Sequence, residues 1–315
     1  MGSHRSVLYG GLISTATPEE HIRLFGDVFG MAVVGTTRLD AAAASALFDA
    51  PLSGAELVVL QTPGVESGVV LVSFTPTSAE TVRSYETRVD RDALKVIDFY
   101  APDYEDAIAH ARGLGYEVVE AEAEYELAAG TFREAHLWAP DNVVTAFLGG
   151  PAEFFADFAQ VGDRRTSEVQ SISAPVSDGA PVVEFYREVL GWDVVFEYAI
   201  DDPSFSALVG IEEPLRLRSR NVGPSTREPY LGLIDYGLPA DVGGSLLGRS
   251  VAPRRGLLGA VVLVGDLGAV VAAAGGAAGP VQALDPVAFV GPRACVLTPP
   301  HGVPHLVLER AGLTA

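Results

Sequence analysis

Asp98 lies in an apolar, strand-like run, Val96-Ile97-Asp98-Phe99-Tyr100, in which strict alternation gives Val96, Asp98 and Tyr100 one face and Ile97 and Phe99 the other. A carboxylate on the inner face of such a strand loses hydration. Its pKa then rises, and it can serve as a general base near neutral pH. His136 and Trp138 lie on a later strand of the same stretch and can face the same space, which would make Asp98 and His136 an acid/base dyad. The competing reading turns Asp98 to solvent and leaves His136 as a hydrogen-bonded core histidine. Further along, Ser171 and Ser173 share one strand face, Tyr230 begins another strand, and Asp235 and Tyr236 end it, so Asp235 is a second candidate for proton transfer. Arg216, Arg218 and Arg220 alternate with Leu215, Leu217 and Ser219. On an inner face these arginines would hold an anion or an enolate; on an outer face they would be the solvated side of a strand with buried leucines. Phe196, Tyr198 and Phe205 can line a cavity by stacking or simply fill a core.

Composition narrows the field. With 315 residues, 48 % hydrophobic and 20 % charged, the chain is globular and long enough for two domains. Forty-one acids and a net charge of −20 repel phosphate backbones and anionic lipid, which argues against nucleic acid and membrane partners. The most apolar stretch, 260–278, is broken by Asp266 and several glycines and falls short of a membrane span. The single cysteine, Cys295, fits a reducing, cytoplasmic setting, and its apolar neighbours mark it as a structural thiol.

These candidates are held by a repeated unit, most legible at 168–198. The run Glu-Val-Gln-Ser-Ile-Ser-Ala-Pro-Val reads as a strand. Asp178 is a helix-capping type, and Val182, Tyr186, Val189 and Leu190 recur at helical spacing until Gly191 stops the helix. A second strand, 194–198, follows at once. The helix ends in Phe185-Tyr186-Arg187-Glu188-Val189-Leu190-Gly191-Trp192, and a degenerate copy, Phe25-Gly26-Asp27-Val28-Phe29-Gly30, lies 160 residues earlier. Asp103 and Asp266, each just after a strand that opens a unit, lie 163 residues apart, which points to an internal duplication. The units open near residues 7, 94, 168 and 257. A polar connector spans 77–93, and a Gly/Pro-containing linker spans 239–255. Short helices are expected at 40–49 and 154–158. The last unit should carry strands near 281–290, 294–297 and 305–309.

The phrase Phe185-Tyr186-x-x-Val189-Leu190-Gly191 resembles the signature of the vicinal-oxygen-chelate superfamily of glyoxalases, bleomycin-resistance proteins and extradiol dioxygenases. Pro140-Asp141-Asn142 sits where that superfamily usually carries an Asp-Pro-Asp-Gly turn. The resemblance implies an α+β fold of four βαβββ modules, paired into two domains whose curved mixed sheets enclose cavities. The expected domains are 1–149 and 165–315, joined by a linker at 150–164. It further implies metal ligands on the first and last strands of each module pair. Those positions fall on Gly11, Ser73, Val96 and Ala146 in the first half, and on Ser171, Asp235, Gly259 and Leu306, beside His305, in the second. Glycine, valine, alanine and leucine cannot ligate through side chains, and Asp235 with His305 makes too small a donor set. His21 and His110 fall on helices and His301 in a turn.

The resulting expectation is a protein without metal or other cofactor that binds an apolar or aromatic small molecule. Asp98, His136 and Asp235 are the candidate catalytic residues. Tyr100, Trp138, Ser171, Tyr198, Phe205, Arg216, Tyr230 and His305 are the candidate substrate contacts. Two functions fit: an isomerase, cyclase or lyase working by proton transfer on a polyketide-like natural product, or a sequestering protein of the bleomycin-resistance type. Metal-dependent dioxygenase or glyoxalase chemistry ranks third. A homodimer is compatible with either of the first two. Incubation with a strong chelator should leave the melting temperature unchanged; a fall of several degrees restored by Fe(II), Zn(II) or Mn(II) would reinstate the metalloenzyme.

Overall fold

A computed structural model of the chain describes residues 5–156, 158–225, 229–239, 241–285, 291–310 and 312–313. Four modules follow one another. The first has β1 (Ser6–Ser14), α1 (Pro18–Asp27), β2 (Ala32–Asp40), α2 (Ala41–Phe48), β3 (Gly54–Gln61) and β4 (Gly68–Thr75). The second has β5 (Val96–Tyr100), α3 (Tyr104–Gly113), β6 (Glu117–Val118), β7 (Ala123–Leu127), β8 (Gly130–Trp138) and β9 (Val144–Gly149), and the short α4 (Ala152–Phe155) follows it. The third has β10 (Val169–Pro175), α5 (Ala180–Leu190), β11 (Asp193–Ile200), α6 (Pro203–Val209), β12 (Leu217–Gly223) and β13 (Tyr230–Asp235). The fourth has β14 (Gly256–Val264), α7 (Leu267–Ala274), β15 (Gln282–Ala283), β16 (Arg293–Leu297) and β17 (His305–Glu309). The α+β class and the four-module plan are as expected. Within the strand expected near 281–290, only β15 forms among the described residues, and 286–290 lie outside them.

The modules do not pair within halves. One sheet runs β15-β16-β17-β14-β1-β4-β3-β2 and joins the first module to the fourth. The other runs β11-β12-β13-β10-β5-β9-β8-β6, with β7 on β8, and joins the second to the third. The expected division into 1–149 and 165–315 is therefore corrected, since each sheet takes strands from both sides of 150–164. The physical reason lies in the opening strands. β1 pairs antiparallel with β14, and β5 pairs antiparallel with β10, so each module closes on a partner through its first strand.

Alternation along these strands sorts side chains into two environments. Leu8, Ile13, Ile97, Phe99, Ile172 and Val262 enter a common core with Phe25 of α1, Ile108 of α3, Tyr186 of α5 and Val270 of α7. The four crossover helices thus share one interior with a face of each sheet. The sheets come close at Gly11, where a Cβ would stand 2.8 Å from Ile97 Cδ1. The other face of the eight-stranded sheet is filled by Leu12, Val59, Val70, Val261 and Leu306. The other face of the nine-stranded sheet is polar and carries the site.

α5 forms as its sequence indicates. Asp178 Oδ1 accepts from Ala180 N at 3.0 Å, and Gly191 ends the helix in the left-handed region at φ 71°. The degenerate first copy of the phrase serves to join the sheets. Phe29 stacks on Phe99 at 4.0 Å and on Phe147 at 5.6 Å, directly behind the polar face. Phe29→Ala should cost about 3–5 kcal/mol, read as a lower urea midpoint at unchanged slope. A change under about 1 kcal/mol would show that the sheets are not held together there.

Candidate functional site

Hydrogen-bond register carries the site. His136 on β8 is opposite Ala146 on β9, Ala146 is opposite Asp98 on β5, Asp98 is opposite Ser171 on β10, and Ser171 is opposite Tyr230 on β13. Cross-strand partners share a face, so these five residues form one row across five strands. Alternation adds Glu134, two residues before His136. Tyr125 from β7, Phe155 from α4, Tyr198 from β11 and Phe205 from α6 close the space above the row. The cavity so formed measures about 60 Å³, room for a few waters. It shares Leu127, Phe154, Phe196 and Tyr198 with an outer pocket of about 740 Å³, so a narrow polar floor continues into a wider aromatic vestibule.

The floor holds two hydrogen-bonded centres. Ser171 Oγ donates to Asp98 Oδ2 at 2.5 Å, and Ser173 Oγ lies 3.5 Å from the same oxygen. Burial, reinforced by Glu134, raises the Asp98 pKa well above the usual carboxylate range and favours the protonated acid. His136 Nε2 is 2.8 Å from Glu134 Oε1. Accepting at Glu134 requires the ring to donate from Nε2, which leaves Nδ1 as the basic nitrogen. Burial lowers the His136 pKa against the raising effect of Glu134, and the ring rests neutral. Burial also pushes the phenols of Tyr125, Tyr198, Tyr230 and Tyr236 upward, so all four stay neutral donors.

Lys95 completes the set. It is 6 % exposed, lines the cavity, and has its Nζ 5.2 Å from the centre of the Tyr236 ring. Among the described residues no carboxylate lies within 4.0 Å of that amine. Burial, with the Arg83 guanidinium nearby, pulls its pKa down to about 7. Arg83 does not pair with the cavity acids, because its nitrogens donate to the carbonyls of Thr87, Asp90, Ala93 and Leu94.

No family model and no curated protein matches this sequence. Solved structures do match. Glyoxalase I from Zea mays superposes with a TM-score of 0.62 at 12 % identity, covering 97 % of this chain and 93 % of that one. A putative dioxygenase from Bacillus subtilis gives 0.56 at 9 % identity, covering 96 % and 85 %. This chain shares its fold with these structures.

A metal, which that fold implies, does not suit the residues present. No group of three or more His, Cys, Asp or Glu side chains among the described residues is arranged to hold an ion. In the row itself Ala146 separates His136 from Asp98, Asp98 is hydrogen-bonded by Ser171, and the ring nitrogen Nε2 is committed to Glu134. Of the positions expected for ligands, Gly11 faces the core between the sheets and Leu306 the aliphatic filling of the other sheet.

Of the expected site residues, Asp98, His136, Ser171, Tyr198, Phe205 and Tyr230 meet in the cavity. Tyr100 is buried beside it and stacks on Phe155 at 3.8 Å. Trp138 lines a smaller neighbouring pocket that also touches Lys95 and His136. Asp235 is a correction: it is exposed, and its Oδ1 accepts from Gly237 N. Arg216 is another, because Leu215, Leu217 and Ser219 take the buried side and turn all three arginines to solvent, where Arg218 pairs with Asp201. His305 belongs to the other sheet, where its Nε2 is 2.8 Å from the Tyr186 hydroxyl. Asp98 keeps its place but changes role, since a protonated carboxyl is an acid.

Lys95 and Glu134 were not among the expected residues, and each carried a signal. Glu134 shares strand parity with His136. Lys95 is the one lysine among 21 basic residues. β7 and α6, also unforeseen, supply Tyr125 and Phe205.

A buried lysine with a depressed pKa binds its proton more tightly in the unfolded chain. Its destabilising effect is therefore full below about pH 7 and fades as pH rises towards the ordinary lysine value. Lys95→Met should raise the melting temperature by several degrees at pH 6 and by much less at pH 9.5. An equal gain at both would mean that the amine does not titrate in this range.

Proposed function

We propose that the chain is a metal-independent enzyme that moves protons on a small, largely apolar carbonyl compound, aromatic or polyketide-like in character. The observation that supports this most directly is the shared floor of Asp98 and the Glu134–His136 pair. One group carries a proton and the other has a free basic nitrogen, which is the complementary pairing that general acid–base catalysis requires.

In this reading the carbonyl end of the substrate enters the narrow floor and its hydrophobic body fills the vestibule between Phe154, Phe158 and Phe196. His136 Nδ1 removes the proton from the carbon next to the carbonyl. Glu134 holds the ring and steadies the imidazolium that forms. Asp98 passes its proton to the carbonyl oxygen, and Ser171 holds the resulting carboxylate. Return of a proton at another carbon gives an isomer; loss of a β-substituent or attack of the enol on a second carbonyl gives a lyase or cyclase outcome. Neutral phenols around the cavity hydrogen-bond the developing enolate without adding charge. A cytoplasmic location agrees with the lone, buried Cys295.

Sequestration is the second reading, favoured by the aromatic vestibule, which suits stacking alone. Solvent exchange separates the two. With 2-tetralone and 1-indanone as probes in D₂O, followed by proton NMR, the enzyme should accelerate α-proton exchange above the buffer rate. His136→Asn should then lower that acceleration by about 10²–10⁴-fold while leaving binding nearly unchanged. Binding without faster exchange would favour the sequestering protein.

A further inference from the structure

Every other basic side chain in this protein is an arginine or a histidine; the single lysine of the 315-residue sequence is Lys95. An ammonium is more strongly hydrated than a guanidinium and is the costlier cation to bury. Even so, this one lysine lies on the cavity floor, 6 % exposed, while most of the arginines lie at the surface. Its Nζ has no ion-pair or hydrogen-bond partner among the described residues, and it stands 5.2 Å from the centre of the Tyr236 ring. A structural cation would be paired, as Arg83 on the same segment is by four backbone carbonyls. An unpaired primary amine in a largely buried cavity, beside a carboxyl whose protonated form is favoured and a neutral imidazole, has the surroundings of a nucleophile.

We propose that Lys95 forms an imine with the carbonyl carbon of its ligand, an uncharged aldehyde or ketone with an aromatic or alkyl tail. The inference shares its cavity with the proton-transfer reading but adds a covalent step. The Nζ lone pair forms the C–N bond, and the carbonyl π pair moves to oxygen, which takes the proton of Asp98. The new N–H proton passes to His136. The imidazolium returns that proton to the hydroxyl, water leaves, and the nitrogen lone pair closes the C=N bond. The product is an iminium beside the Asp98 carboxylate, with one water released and no oxidant or reductant needed. The ligand is uncharged because Glu134 and the chain's net −20 disfavour an anion, and none of the described residues that line the cavity is an arginine. A pKa of about 7 leaves about half the amine as free base at neutral pH.

The single lysine makes the test direct. The full chain is incubated with 3-phenylpropanal and sodium cyanoborohydride at pH 7, and peptide mass mapping follows the only two kinds of primary amine present, Lys95 and the N-terminus. We expect a reduced adduct at Lys95, formed at least about tenfold faster than on Nα-acetyl-lysine. Its yield should rise through a midpoint near pH 7. Lys95→Met should lose that adduct and keep the N-terminal one. Labelling at the N-terminus with Lys95 unmodified would overturn the proposal, and this wild-type result stands whether or not the variant folds. The proton-transfer reading fails separately: adduct formation without α-proton exchange would remove that reading and keep the imine. Exchange without an adduct would do the reverse.

Discussion

Holding Lys95, Asp98, Glu134 and His136 out of water on one sheet face is the constraint around which this molecule is arranged. Each group in its charged form would face a heavy desolvation penalty. The cavity meets this by protonation state rather than by ion pairing. Asp98 keeps its proton, His136 stays neutral, and the Lys95 amine is drawn to the edge of deprotonation. What remains is Glu134, hydrogen-bonded by the His136 ring. Such a floor is poised for proton traffic because little solvent reorganisation accompanies a change of charge there.

Rigidity behind that face is what makes the arrangement possible. The strands that present Asp98 and His136 to the cavity present Ile97, Phe99, Ala135 and Leu137 to the common core. Phe29, from the first module, presses against Phe99 and Phe147 from behind. The two sheets therefore have unequal tasks. The eight-stranded sheet fills the side away from the common core with valine and leucine, and Phe29 of its first module reaches across as a buttress. The nine-stranded sheet leaves the corresponding side polar and partly open. The four modules share one plan, and the identity of a few inward-facing residues sets the two sheets apart.

Much of this was legible in the sequence, for identifiable reasons. The signature Phe185-Tyr186-x-x-Val189-Leu190-Gly191 is helix periodicity ended by a left-handed glycine, both local properties, and it located the third module. Alternation in 96–100 correctly separated Asp98 from Ile97 and Phe99. Module pairing was not legible, because each module carries the same internal pattern and nothing local chooses its partner. The polar residues did hold a clue. Asp98 buried on β5 needs a hydrogen-bond donor across the strand, and β10 offers Ser171 and Ser173. β1 offers Gly10 and Leu12 on the equivalent side and would have left the carboxyl unsatisfied. Satisfying one buried group thus discriminates between partners where periodicity cannot.

The same accounting explains why the arginine stripe misled and the lysine was overlooked. Three arginines in alternation form a conspicuous pattern, but a guanidinium stripe beside exposed acids is satisfied at the surface, as Arg218 is by Asp201 and Arg220 by Glu197 at 3.6 Å. A lone lysine makes no pattern at all. Its meaning comes from its surroundings: the cavity wall, the ring of Tyr236, and an arginine neighbour whose donors are already taken by the backbone. Arg83 supplies positive potential without offering a hydrogen bond, and that favours the neutral form of the amine. Moving Arg83's donors away from those carbonyls would leave several buried acceptors open, so the fold of 83–95 and the chemistry of Lys95 are set by the same contacts.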